Sequence, residues 1–117
     1  MAKADRLEKM DIRRVELEAE YRAELIAALK VTAAGKWGLF DHQGDRWARA
    51  AVAPVIANLA EIGETIDSLR EQLGLPVFEL QQRFLAARGP VRADAVGEPK
   101  QAKAWLEMLD SEEPDTA

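Results

Sequence analysis

Two long stretches of this chain place an apolar residue every three or four positions, and each stretch stops at a glycine. That period matches one face of an α-helix, and it leaves little room for a strand, whose pattern would alternate every second residue. The first stretch predicts a helix from about Asp5 to Ala34. With Leu7 at zero and about 100° per residue, Leu7, Met10, Leu17, Tyr21, Leu25, Ala28, Leu29 and Thr32 share one stripe. Arg14 alone interrupts it, and its stem can lie over apolar neighbours while the head reaches water. A second, thinner stripe holds Ile12, Val15, Ala19, Ala23 and Ile26. A helix with two apolar stripes is expected to contact two neighbours. Gly35 then serves as the terminator, because glycine takes positive φ without strain.

The second stretch predicts a helix from Asp45, an N-cap residue, to Leu73. Its expected core stripe is Trp47, Ala51, Val55, Leu59, Ile62, Ile66, Leu69 and Leu73. Pro54 lies inside it and is expected to kink the helix near residues 50–53. Ala48, Ala50, Ala51, Ala53, Ala57 and Ala60 keep this half thin, which suits close approach of another helix. Gly74 ends it. A third, shorter helix is expected to open at Leu75-Pro76, with Val77, Leu80 and Phe84 inward, and to stop at Gly89-Pro90. Residues 91–98 read as a loop. A fourth helix runs from Pro99 to about Leu109, with Ala102, Trp105, Leu106 and Leu109 inward. The acidic tail 110–117 reads as disordered.

The expected fold is therefore all-α, with one helical domain over residues 1–109. The ten-residue connector makes an antiparallel hairpin of the two long helices the natural pairing, with the two short helices on one side. Such a hairpin leaves apolar surface uncovered, so homodimerisation is expected to complete a helical bundle.

Composition narrows the function classes. The 117-residue chain is 48% hydrophobic and 32% charged, which fits one globular domain and not a disordered segment. There is no cysteine, so disulfides, thiolate catalysis and iron–sulfur ligation are out of reach. The start, Met1-Ala2-Lys3-Ala4-Asp5-Arg6, has no apolar leader, and no apolar run is long enough to span a membrane, so a cytoplasmic location is expected. The net charge of −5, with bases interleaved among acids, argues against a nucleic-acid partner. The mixed-sign first helix argues against a membrane surface. It also suits an arm that reaches a partner helix.

Three groups of residues have a claim to chemistry. The first is Glu61, Glu64 and Asp67, acids at i, i+3 and i+6 that can offer carboxylate oxygens to Mg²⁺. Over these seven residues the spacing resembles the Glu-x-x-Asp helices of all-α nucleotide pyrophosphatases, which implies a Mg²⁺-dependent nucleotide hydrolase with these three as metal ligands. Their helical angles turn them away from the Leu59–Ile66–Leu73 stripe, where a solvated face is the ordinary reading.

The second group is the connector cluster Lys36, Trp37, Phe40, Asp41, His42 and Arg46, with Asp45 beside it. His42 is the only histidine. Close to aspartates it can act as a base, and the segment from 36 to 46 can roof a small-molecule pocket. The ordinary reading makes Asp41 and Asp45 turn and cap residues. The third group is aromatic. Trp47, Phe84 and Trp105 fall on core stripes, whereas Trp37 and Phe40 either plug the helix ends or form a binding surface.

Signatures of nucleophilic or phosphate chemistry are missing. There is no Gly-rich phosphate loop, GxSxG, HExxH or EF-hand pattern. Side-chain hydroxyls are limited to Tyr21, Thr32, Thr65, Ser68, Ser111 and Thr116. The expectation is a non-enzymatic helical interaction module with no cofactor. A Mg²⁺-dependent hydrolase and a small-molecule pocket under the connector are the alternatives.

Overall fold

A computed structural model describes residues 2–40, 46–88 and 98–112 of the chain. Within them there are four α-helices and no strand: α1 (Ala2–Ala33), α2 (Arg46–Gln72), α3 (Glu79–Ala87) and α4 (Glu98–Ser111). The alanine-rich, glycine-punctuated sequence thus produces an all-helical chain. Gly35 and Gly74 follow the two long helices with φ of 81° and 73°, the left-handed region in which a side chain is strained. Asp45, the expected cap of α2, lies outside the described residues, as do Gly89-Pro90.

α1 is the central element and packs against both α2 and α4. Its buried side chains are Leu17, Tyr21, Leu25, Ala28, Leu29 and Thr32. All six belong to the first predicted stripe. Thr32 satisfies its hydroxyl by donating to the Ala28 carbonyl at 3.1 Å, so a polar group sits in the core without loss. Leu7 falls on the same stripe but is 39% exposed. Residues 4–13 are exposed apart from half-buried Met10, because α1 runs past the elements that cover its other end. The molecule is accordingly elongated, 54 × 30 × 22 Å.

In α2 the buried face is Val52, Leu59, Ile62, Gly63 and Ile66. This corrects the stripe read from the sequence. Trp47 is 77% exposed and Ala51 is also exposed. The reason is angular. Steps of four residues drift by about 40° each, so a path from Leu59 back through Val55 and Ala51 reaches Trp47 about 120° off the buried face. Val52, seven residues before Leu59, returns to within about 20° of it. The helix continues through Pro54.

The start of α3 is also corrected. Residues 75–78 belong to no helix, Phe78 is extended, and the helix begins at Glu79, not at Pro76. Two residues of α2 hold that stretch. Asp67 Oδ1 accepts the Phe78 backbone N–H at 2.8 Å, and Arg70 donates to the Pro76 carbonyl at 2.9 Å. Phe78 is thereby turned inward, edge-on to Tyr21 with ring centres 5.2 Å apart. Val77, expected inside, is 58% exposed. One turn later Gln81 is buried over Gly63. With its amide oriented to suit both neighbours, Gln81 donates to the Gly63 carbonyl at 3.0 Å and to Asp67 Oδ2 at 3.2 Å. A Cβ at residue 63 would overlap that amide, which explains a glycine in mid-helix.

The other end of the core is aromatic. Phe40 stacks within 6.1 Å of Phe84 and 5.8 Å of Trp105, and Phe84 meets Trp105 at 6.3 Å. The connector after α1 thus drives Leu39 and Phe40, both fully buried, into the gap between α3 and α4. Arg88 at the end of α3 donates to the Leu39 carbonyl at 3.3 Å and fastens it there. α4 buries Ala102 and Leu109 and half-buries Trp105 and Leu106, as its period predicts. It continues through Asp110 and Ser111, into the stretch expected to be disordered, and Glu112 is tied to Arg83 at 2.9 Å. Residues 113–117 lie outside the described residues.

Candidate functional site

The second predicted stripe of α1 stays largely uncovered. Ile12 is 53% exposed and Val15 52%, Ala19 and Ala23 are exposed, and Ile26 is half-buried. The stripe faces almost opposite to Tyr21 and Ala28, so the packing that buries the first stripe necessarily turns the second outward. Along one side it is flanked by α3 and the end of α4. Together they form an open groove of about 680 Å³, floored by Val15, Ala19, Ala23 and Ile26 and walled by Leu80, Arg83 and Leu109.

Charged groups stand along the lip of this groove, and several are already fixed. Arg22 donates to the Leu109 carbonyl at 2.6 Å. Glu18 receives Arg14 at 2.9 Å and Arg70 at 2.8 Å, with all three side chains mostly covered. The hydrogen bond to Glu18 is the main reason the Arg14 guanidinium holds its proton more tightly than usual. At the far lip, Arg83 and Glu112 form a two-pronged pair. The hydrogen bond from Arg83 is likewise the main reason the Glu112 carboxyl sits below the ordinary carboxylate range. Such a surface offers an apolar floor with fixed charges at its edge, which is how an amphipathic helix is received.

The residues singled out for metal chemistry do not converge. Glu61 and Glu64 are exposed on α2. Asp67 is half-buried, and its two oxygens are taken by the Phe78 N–H and the Gln81 amide. Among the described residues no group of three carboxylate or histidine side chains is placed to hold a metal ion. Of the connector cluster, Asp41 and His42 lie outside the described residues. Lys36 and Arg46 are exposed, Trp37 is half-buried against the core, and Phe40 is wholly inside it. Phe40 therefore packs in the core and does not offer a surface.

The side chains that organise the site were not visible as candidates in the sequence. Arg70, Phe78, Gln81 and Arg83 all matter through partners on other helices, and spacing along one chain carries no signal of such contacts. The one clue was the second stripe of the first helix, an apolar face without an assigned neighbour.

Tyr21 has a hydroxyl at the centre of the molecule, but not one suited to proton transfer near neutrality. Burial, and after it the nearby Asp67 charge, push its phenol well above the ordinary value. The sign of the linkage follows. A raised phenol pKa means the folded state keeps its proton while the unfolded chain releases it above a pH of about 10. Stability is then fully present below that pH and falls as pH rises beyond it. Because Tyr21 is the only tyrosine, absorbance at 295 nm is expected to show no phenolate until the helical circular dichroism is lost. Ionisation with the helices intact would contradict the burial.

Comparison with protein-family models, curated proteins and solved structures found no match. Among the described residues, no helix is long and apolar enough to cross a membrane.

Proposed function

We propose that this chain is a non-enzymatic helical interaction module that docks a helix of a second polypeptide on α1. The observation that supports this reading is the stripe Ile12–Val15–Ala19–Ala23, apolar along three turns yet left in solvent beside an apolar groove. Leaving two half-exposed β-branched residues in water forgoes stabilisation of about 25 cal/mol for each Å² that a partner would cover. In this reading α1 and α2 form the antiparallel hairpin, and the second polypeptide completes the bundle. The projecting end of α1 serves as the arm that guides it. The partner is a protein and not a nucleic acid or a membrane, in keeping with the net charge of −5 and the mixed-sign polar face. The cytoplasm is the compartment that suits a cysteine-free chain of this kind.

A photo-crosslinking amino acid at Val15 tests the reading. In cells, it is expected to join the chain to a polypeptide. The same group at Glu64, exposed on α2, is expected to give far less adduct. Equal yields at both positions, or none at Val15, would refute a docking role for the stripe.

A further inference from the structure

We infer that the occupant of the α1 stripe is α1 of a second copy of this chain, antiparallel, with the two-fold axis passing through Ala19. The inference rests on the docking reading above and names its partner. Its basis is the order of residues on the exposed face. With Ala19 at zero and about 100° per residue, Glu8, Ile12, Val15, Ala23, Ile26 and Lys30 all fall within about 40° of it. A two-fold axis through Ala19 sets each residue against the one equally far on its other side. Ile12 then meets Ile26 of the second copy, Val15 meets Ala23, and Ala19 meets itself. Glu8 meets Lys30. Along the centre of this face each apolar residue thus meets an apolar one and Glu8 meets a base, the self-complementarity that a two-fold contact requires.

The register is selective. A shift that centres the pair on Val15 sets Asp11 on Ala19, placing a carboxylate on an apolar contact. A shift that centres it on Ala23 moves Val15, half-exposed in the single chain, to the edge. Small side chains at Ala19 and Ala23 allow the backbones to approach closely. Glu8 and Lys30 are both exposed and lie about 33 Å apart along the helix, which sets the length of the contact.

Purified full-length protein tests this in two ways. Light scattering is expected to give twice the chain mass. Glu8→Lys and Lys30→Glu are each expected to weaken the dimer about tenfold, and the double exchange to restore it, since each single change sets like charges face to face at both ends. Because the chain has no cysteine, Ala19→Cys is expected to give an intermolecular disulfide on mild oxidation. Val15→Cys alone is expected not to, whereas Val15→Cys with Ala23→Cys is. A clean monomer at high concentration would overturn the inference. So would a dimer that neither crosslinks at residue 19 nor responds to the charge exchange. If the purified chain is a monomer while Val15 crosslinks another protein in cells, the docking reading stands and this one falls. If Val15 crosslinks nothing in either setting, both fall.

Discussion

Phe84→Ala is expected to lower the unfolding free energy by about 3–5 kcal/mol, among the largest effects of any single change in this molecule. Phe84 is 2% exposed and is one corner of an aromatic triangle, with Phe40 at 6.1 Å and Trp105 at 6.3 Å. Removing it forfeits the transfer of a whole phenyl group and leaves a cavity between α3, α4 and the connector. Each aromatic pair adds about 0.5–1.5 kcal/mol beyond its buried area. α3 is only nine residues long, too short to be stable by propensity alone, so it depends on this anchor. Urea unfolding read by tryptophan fluorescence and by circular dichroism measures the loss. A cost under about 1 kcal/mol would mean that the aromatic cluster does not hold that end of the core.

Arg70→Met is the second. It is expected to cost about 2–3 kcal/mol, more than an exposed ion pair is worth. Arg70 reaches three things at once. Its guanidinium meets Glu18 of α1 at 2.8 Å, donates to the Pro76 carbonyl at 2.9 Å and lies 5.6 Å from the centre of the Phe78 ring. Both charged side chains are more than four-fifths covered, at 17% and 19% exposure. Partial burial strengthens the attraction and also makes an unmatched carboxylate costly. Arg14 remains at Glu18 and limits that cost. Glu18→Leu combined with Arg70→Met is therefore expected to lose less than the two single losses added together. Strict additivity in that double-mutant cycle would show that the pair does not act as a unit.

Legibility differed from element to element for physical reasons. The buried face of α1 was readable because its period holds over four turns, and errors of one residue do not accumulate there. The face of α2 was misread at its first half, where alanines supply no contrast and a four-residue step walks off the stripe. Residues 75–78 looked helical because proline often opens a helix. They stay outside the helix because Asp67 and Arg70, on a different element, take the Phe78 N–H and the Pro76 carbonyl. Gln81 is polar, yet it lies inside because Gly63 leaves room and the Gly63 carbonyl and Asp67 accept from it. The acid triplet on α2 was legible as spacing, but spacing does not say that one member is already occupied.

The sequence by itself determined that this chain is helical, where its long helices end, and that α1 carries two apolar stripes. Those features are local: alanine-rich propensity, a 3.6-residue period, and glycines that accept positive φ at Gly35 and Gly74. Only the tertiary structure decided which of the two stripes on α1 is covered and which stays exposed. Both stripes are apolar and both lie on the same helix. The choice depends on where α2 and α4 come to rest, and that is fixed by contacts between residues distant in the chain, such as Glu18 with Arg70 and Arg22 with Leu109.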